Sequence, residues 1–300
     1  MSGFDLPELP PGYEFVRGRR GIIGCRAADM EGLLAAGFQP DGTRKSESLP
    51  DAAEAGREPL GLLEVNGTAC LARRFTHGGL ARALTGARFK DPARPFAELL
   101  LSERLRSLGI RTPRVVAARA VRSSPVGYEL TLVTERAPGV QDLGWLLGEV
   151  RRGGAPARRL QRALGAVGEL IGELHRVGFV HADLQPANLL VDAKDPGAPA
   201  ATIDLDRSRF VGDGPLTAVL AQANLGRLWR HVARREREHG AVLSRTDRLR
   251  FLVAYGVPRA ELAAFSAAVE AAAKSKGLGH RLGWWLETRL GRGLDRRAAR

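Results

Sequence analysis

Two stretches near the middle of the chain decide its fold: HADLQPANLL at residues 181–190 and TIDLDR at residues 202–207. In the first stretch the carboxylate of Asp183 precedes the amide of Asn188 by five residues, so both side chains can face one site. In the second stretch Asp204 follows the apolar residues of a predicted buried strand, and functional side chains commonly lie where strands end. The spacing predicts three oxygen-bearing side chains beside one cleft.

These side chains have the chemistry of a phosphoryl-transfer site. Magnesium prefers hard oxygen ligands and keeps substrate phosphates in its shell, and Asn188 and Asp204 offer one amide and one carboxylate oxygen. Asp183 is the candidate for the carboxylate that accepts a hydrogen bond from the attacking hydroxyl. We group His181 with the catalytic residues and expect it to brace the loop rather than to ionise. Each acid alone could be a helix cap or a turn former, but the combination favours catalysis.

The amino-acid composition limits the classes of protein to which the chain can belong. The chain has 300 residues, 44% hydrophobic and 26% charged, so it can bury a large core and does not resemble a disordered chain. Its two cysteines, Cys25 and Cys70, form no CxxC pair, which argues against a disulfide framework or a zinc site. The first residues do not resemble a signal peptide and no apolar run reaches membrane-spanning length, so we expect a cytoplasmic protein.

The formal net charge of +13 comes mostly from arginine and implies an anionic partner. A solvated arginine-rich surface explains the charge equally well. Trp284-Trp285 lie among C-terminal arginines, and such mixtures can dock on anionic membranes. No nucleic acid is expected, because no recognised binding motif is present. Five further arginines cluster on a predicted helix: Arg227, Arg230, Arg234, Arg235 and Arg237.

The first half of the chain is predicted to be rich in strands. Asn66-Gly67 marks a hairpin turn between two short strands. Pro95 opens a helix that Gly109 closes. Two longer strands begin at Val115 and Tyr128.

The second half is predicted to be mainly helical. One long helix carries apolar residues at three- and four-residue steps on a single face: Leu160, Leu164, Val167, Ile171 and Leu174. We predict an α+β fold in three parts. These are an N-terminal extension over residues 1–50 with a short helix near Asp29–Ala36, a strand-rich N-lobe over residues 51–137 and a helical C-lobe over residues 138–300.

The two motifs resemble the catalytic and metal-binding segments of the protein-kinase-like superfamily, and more narrowly those of the bacterial lipopolysaccharide kinases. Among these, the kinases of Kdo (3-deoxy-D-manno-octulosonic acid) have an Arg-aromatic-Arg strand that runs into Gly-Gly-Leu, and RRFTHGGL at residues 73–80 is similar. The resemblance implies a bilobal protein-kinase-like fold. It also implies a kinase that uses ATP and Mg²⁺ to phosphorylate a hydroxyl of Kdo on a lipid A precursor, an anionic glycolipid at the cytoplasmic face of the inner membrane.

The resemblance assigns the three oxygen-bearing residues by motif position. Asp183 resembles the catalytic-loop aspartate, Asn188 the asparagine on the second metal ion, and Asp204 the aspartate of the DFG-type segment. Leu205-Asp206 replace Phe-Gly in that segment, as in the Kdo kinases. The resemblance also places Asp206 and Arg207 at the acceptor site.

The resemblance further implies a set of nucleotide-binding residues in the N-lobe. Arg73 resembles the strand residue, usually lysine, that contacts the nucleotide phosphates, and Glu98 resembles its ion-pair partner. Arg74 points to the opposite face of the same strand and is the alternative candidate if the register differs by one residue. Gly56 and Gly61 give a poor match to a glycine-rich phosphate loop, because Pro59 removes a backbone donor. Glu135 lies at the predicted hinge, where backbone groups typically meet adenine.

Other functions stay open at this point. The same fold can phosphorylate a core heptose, a small-molecule alcohol, or a serine, threonine or tyrosine of a protein. The weak glycine loop and the missing lysine also allow a degenerate kinase fold that acts as a binding module.

Overall fold

The structure is a computed structural model in which residues 6–43, 51–52, 60–76, 88–125 and 127–275 are described. Three predicted features lie outside the described residues: Gly56 of the glycine loop, the Gly78-Gly79-Leu80 segment and Trp284-Trp285.

A seven-stranded antiparallel sheet forms the N-terminal half of the described chain. Its strands are β1 (Tyr13–Arg17), β2 (Gly21–Arg26), β5 (Asp51–Ala52), β6 (Leu60–Val65), β7 (Thr68–Arg74), β8 (Val115–Ser124) and β9 (Gly127–Glu135). They are arranged in the order β1-β2-β8-β9-β7-β6-β5. The short strands β3 (Phe38–Gln39) and β4 (Gly42–Thr43) pair separately, next to helix α1 (Met30–Ala35).

The hairpin predicted from Asn66-Gly67 is confirmed. The two residues join β6 to β7, and both have left-handed backbone angles, with φ of 50° at Asn66 and 76° at Gly67. Asn followed by Gly tolerates this geometry best, and such a turn matches the twist of the strands that it connects. The hairpin sets the register of β7 and therefore the face on which Arg73 lies.

The helix predicted to begin at Pro95 is also confirmed. It is α2 (Arg94–Ser107), with proline in its first turn, and Gly109 follows it with a φ of 80°. Phe96 and Leu99 are fully buried in a cluster that also contains Leu130 and Leu132 of β9. This packing holds α2 against the sheet.

The predicted N-terminal extension contributes strands to the sheet. The short helix expected near Asp29–Ala36 is present as α1, but β1 and β2 were not predicted. Strand β2, GIIGCR, is buried at its first five positions and pairs with β8 over Gly21↔Val121 to Cys25↔Ala117. A strand buried on both faces lacks the alternation of apolar and polar residues by which strands are recognised.

The C-terminal half is helical, as predicted. Its helices are α3 (Leu143–Arg152), α4 (Ala157–Arg176), α5 (Ala218–His239), α6 (Arg245–Tyr255) and α7 (Leu262–Lys274). All five apolar residues predicted for one face of α4 are buried in the main core of this half. Gly172 lets α6 approach α4 closely, because a Cβ there would lie 2.5 Å from the Tyr255 carbonyl oxygen. None of the described helices is long and apolar enough to cross a lipid bilayer.

Short strands hold both ends of the two motif loops. The strands are β10 (Val140–Asp142), β11 (Phe179–Val180), β12 (Leu189–Asp192), β13 (Ala201–Thr202) and β14 (Arg209–Phe210). Strand β11, which precedes the first loop, pairs with β14, which follows the second loop, through Val180↔Arg209. Strand β12, which follows the first loop, pairs with β13, which precedes the second loop, through Leu189↔Thr202. Residues 181–188 and 203–208 are therefore fixed beside each other. A strand-rich half and a helical half with these loops between them confirm the predicted α+β, bilobal kinase-like fold.

Candidate active site

Asp183 and Asn188 are held together in the first loop. The Asn188 amide nitrogen donates to the Asp183 backbone oxygen at 2.8 Å and to its carboxylate Oδ2 at 3.3 Å. Gln185 Nε2 donates to the same Oδ2 at 2.6 Å. These bonds fix the Asp183 carboxylate, whose side chain remains 40% exposed, within reach of a ligand. Because the nitrogen of Asn188 is used in this way, its amide oxygen is the atom that can bind a ligand.

His181 connects the first loop to the second. It is buried, and its Nδ1 accepts a hydrogen bond from the Asp183 backbone N–H at 3.1 Å. A ring nitrogen that accepts carries no proton, so Nε2 is protonated and donates to the Ile203 carbonyl at 3.0 Å. Burial lowers the pKa of His181, while the Ile203 carbonyl and Asp204 oppose that shift. The arrangement fits a neutral brace, the role expected from the sequence.

Asn224 was not predicted, and it anchors the first loop from behind. This buried residue of α5 donates from Nδ2 to the His181 carbonyl at 2.8 Å and accepts from the His181 N–H at 3.3 Å. Its oxygen also lies 3.1 Å from His175 Nε2, and the other nitrogen of His175 lies 2.8 Å from the Tyr255 hydroxyl. Burial lowers the pKa of His175 to about 4, so this network is neutral and fully bonded at pH 7. A polar residue among the apolar positions of α5 was the one sequence signal.

Asp204 lies beside Asn188 in a strained backbone conformation. The Ile203 N–H donates to the Asn188 carbonyl at 3.0 Å, which brings Asp204 next to the first loop. Asp204 has a φ of 60°, in the left-handed region that costs a non-glycine residue roughly 1 kcal/mol or more. Such strain persists only where the surrounding contacts impose it, and it occurs preferentially at functional sites.

Arg73, Glu98 and Asp204 form a chain of charges between the sheet and the second loop. Arg73 Nη2 donates to both oxygens of Glu98, at 2.8 and 2.7 Å, and its Nη1 lies 3.3 Å from Asp204 Oδ1. Burial raises the pKa of Glu98, and the Arg73 guanidinium opposes that shift. Glu98 Oε1 also accepts from the Leu205 N–H at 3.2 Å. Arg74 is exposed on the other face of β7, so the register places Arg73 in the cleft.

Asp206 pairs with Arg94, at the start of α2. Arg94 Nε donates to Asp206 Oδ1 at 3.2 Å, and Nη2 contacts Oδ2, so both carboxylate oxygens are engaged. The guanidinium also lies 4.6 Å from the centre of the Phe89 ring. This pair ties the segment after Asp204 to α2, and its carboxylate is used within the protein rather than being free for an acceptor.

Two further residues that were predicted to bind the nucleotide, Gly61 and Glu135, lie in different strands of the sheet. Gly61 lies in β6 opposite Ala72. Glu135 ends β9, where its carboxylate lies 3.3 Å from Arg26 Nη1, and its backbone N–H donates to the Arg114 carbonyl at 2.9 Å. The N–H of Glu135 is therefore already used, which leaves its carbonyl for any contact with adenine.

Asn188 and Asp204 fit a magnesium ion that is shared with a substrate. Among the described residues, no group of three or more His, Cys, Asp and Glu side chains is placed to hold a metal ion. Magnesium bound with a nucleotide takes only one or two protein oxygens and completes its shell with phosphate oxygens and water. The free amide oxygen of Asn188 and the carboxylate of Asp204 match that requirement.

The chain matches known proteins over most of this region. The profile of the lipopolysaccharide kinase (Kdo/WaaP) family matches residues 66–255. A 3-deoxy-D-manno-octulosonic acid kinase of Stenotrophomonas maltophilia (strain K279a) is 31% identical over 210 residues, which cover 67% of this chain and 77% of the relative. The kinase of the same name from Vibrio vulnificus (strain CMCP6) is 33% identical over 163 residues, or 53% of this chain. The aligned part spans 62% of the Vibrio protein's length.

A solved structure also resembles the chain. It is described as WaaP in complex with acyl carrier protein, and it superimposes with a TM-score of 0.50 at 26% sequence identity. The match covers 76% of this chain and 89% of that chain.

Proposed function

The chain belongs to the lipopolysaccharide kinase (Kdo/WaaP) family, and on that premise we propose that it transfers the γ-phosphoryl group of ATP to a hydroxyl of Kdo in the inner core of lipopolysaccharide. The observation that carries the proposal is the convergence of Asp183, Asn188 and Asp204 through the hydrogen bonds of Asn188. The relatives named as Kdo kinases support the choice of acceptor.

Asp183 acts on the acceptor. Its carboxylate, held by Gln185 and Asn188, accepts the proton of the attacking hydroxyl. The acceptor oxygen forms a bond to the γ-phosphorus, and the bond from that phosphorus to the bridging oxygen of ADP breaks. Positioning a weak nucleophile in line with the phosphate is the main contribution that a protein makes to such a step.

Arg73 and the metal-binding pair act on the nucleotide between two lobes. The N-lobe comprises residues 51–137 together with strands β1 and β2 of the same sheet, and the C-lobe begins at residue 138. Arg73 is oriented by both oxygens of Glu98, so its remaining N–H groups can contact phosphate oxygens. Mg²⁺ held by Asn188 and Asp204 would neutralise the charge of the phosphates. We place the protein at the cytoplasmic face of the inner membrane, where a Kdo-lipid A acceptor would be available.

A transfer assay tests the proposal. Purified protein is incubated with ATP, Mg²⁺ and Kdo-lipid A, and mass spectrometry detects the gain of one phosphate. Asp183→Asn and Asp204→Asn are expected to lower the rate by about 100-fold or more, as for loss of a general base or a metal ligand. Asp213→Asn is the matched control, because that side chain is fully exposed on a loop.

The outcomes separate the alternatives. In an acceptor screen with radiolabelled ATP, label on a heptose, a small alcohol or a protein in place of Kdo would show that the protein is a kinase with a different acceptor. Absence of any Mg²⁺-dependent transfer or ATP hydrolysis would favour the binding module. Transfer that survives Asp204→Asn would contradict the assigned metal site.

A further inference from the structure

Helix α5 contacts the first loop at Asn224, and its next turn contacts Asp183. Because Asn224 bonds both backbone polar groups of His181, the next turn of the helix lies beside the first loop. There, Arg227 Nη1 lies 3.7 Å from Asp183 Oδ1, the carboxylate oxygen opposite the one that Gln185 and Asn188 hold.

Arg227 is the first of three arginines on one face of α5. Residues three and four positions apart lie on the same side of a helix, so Arg230 and Arg234 follow Arg227 in a row about 10 Å long. We call Arg227, Arg230 and Arg234 the α5 arginine row. His231 lies within the row, with its Nδ1 3.5 Å from Arg234 Nη2.

The positive charge of the row is largely uncompensated. Among the described residues, Asp183 is the one carboxylate in an ion pair with the row, while Arg230 donates to the Ala272 backbone carbonyl at 2.9 Å. By contrast, Arg73 and Arg94 each engage both oxygens of a carboxylate.

The arginines are close enough to repel one another. Burial lowers the pKa of Arg230, and the neighbouring Arg227 adds to that shift. Like charges three and four residues apart destabilise a helix. An anion bound to the row would remove this cost.

We propose that the α5 arginine row binds the carboxylate of a sugar-acid acceptor and so selects acidic acceptors over neutral ones. The inference rests on the proposed function and names the group of the acceptor that the enzyme recognises. Arginine pairs with a planar carboxylate through two parallel hydrogen bonds, which also fixes the orientation of the sugar. Because Arg227 Nη1 lies 3.7 Å from Asp183 Oδ1, an acid group held by the row would bring a neighbouring hydroxyl of the sugar towards Asp183. The half-buried position of Arg230 suits a small acidic group better than a flat membrane surface.

A binding measurement tests the inference without phosphoryl transfer. Isothermal titration calorimetry compares a methyl glycoside of Kdo, which carries the free carboxylate, with its methyl ester, which is uncharged. The wild-type protein is expected to bind the acid about tenfold more tightly than the ester, because the ester loses a charge-assisted hydrogen bond. The Arg230→Gln/Arg234→Gln variant is expected to bind both ligands equally weakly.

Matched variants distinguish the effect of charge in the α5 arginine row from the effect of positive charge elsewhere on the protein. Arg158→Gln removes the same charge near the start of α4, about 25 Å along that helix from His175, and is expected to keep the preference for the acid. Arg234→Lys keeps the charge and is expected to retain part of the preference. Arg234 is exposed, so Arg234→Gln alone should fold normally if the double variant does not.

Several results would overturn the inference. Equal binding of acid and ester by the wild-type protein would do so, whether or not the protein is a kinase. The same holds if the double variant loses binding to phosphatidylglycerol vesicles but binds the soluble glycoside normally, because the row would then contact the membrane. A carboxylate preference that the double variant abolishes, without transfer of phosphate to Kdo-lipid A, would support the row and refute the proposed acceptor.

Discussion

At the scale of the residue, the first loop depends on polar groups that are buried and fully bonded. Asn224 satisfies the N–H and the carbonyl of His181, and His181 in turn holds Asp183 and Ile203. A buried hydrogen-bonding group left without a partner costs about 1–3 kcal/mol, more than the bond itself contributes. Loss of one such side chain should therefore affect both stability and catalysis.

We expect Asn224→Ala to lower the free energy of unfolding by about 2–3 kcal/mol, because it leaves two backbone groups of His181 unpaired. The same change should lower kcat and leave the KM for ATP nearly unchanged, since the first loop carries Asp183. Chemical denaturation and steady-state kinetics measure the two effects. Gln222→Ala, an amide-to-alanine change at a half-buried position of the same helix, serves as control. Equal effects of the two substitutions would contradict the anchoring role.

Single residues also show what the sequence could reveal. Asp183, Asn188 and Asp204 were identified because they lie in two short motifs whose spacing limits their relative positions. Asn224 could not be identified in this way, because its role depends on a contact between α5 and a loop far away in sequence. Asp206 could be identified because it lies in the second motif. Its ion-pair partner Arg94 could not, because that contact depends on where α2 packs.

At the scale of the element, α2 links the sheet to the second loop through two separate contacts. Glu98 accepts from the Leu205 N–H, and one turn earlier Arg94 engages both oxygens of Asp206. The bounds of α2 follow from Pro95 and Gly109, so its existence and position along the chain were predictable. Strand β2 was not, because burial on both faces removes its alternating pattern.

We expect Arg94 and Asp206 to act as a unit. Arg94→Gln and Asp206→Asn should each lower kcat by about tenfold or more, and the double variant should be no worse than either, because the interaction can be lost only once. The coupling energy should be about 1–3 kcal/mol for this partly buried bidentate pair. A parallel cycle on the exposed Arg104–Asp213 pair, whose atoms lie 3.8 Å apart, should give less than about 1 kcal/mol. Additive effects at Arg94 and Asp206 would count against the unit.

At the scale of the whole molecule, groups from both halves meet at Asp204. Arg73 of the sheet and the first loop of the helical half both approach this residue. A strand-rich half followed by a helical half was predictable from the order of the elements, and the kinase-like arrangement of the two halves from the resemblance of the two motifs. The pairing of charges across the cleft was not, because it depends on how the two halves pack.

A nucleotide bound between the halves should stabilise the folded protein in a Mg²⁺-dependent way. At a free ligand concentration near 100 times Kd, the stabilisation is about 2.7 kcal/mol, which corresponds to a rise in Tm of about 5 °C. Differential scanning fluorimetry with ATP should show this rise in Mg²⁺ and a smaller one in EDTA, since Asn188 and Asp204 would hold the metal together with the phosphates. In Asp204→Asn the difference between Mg²⁺ and EDTA should vanish, while in Asp213→Asn it should persist. A shift that is equal in Mg²⁺ and EDTA for the wild-type protein would mean that the nucleotide binds without a metal ion at this pair, and the role assigned to Asp204 would then be wrong.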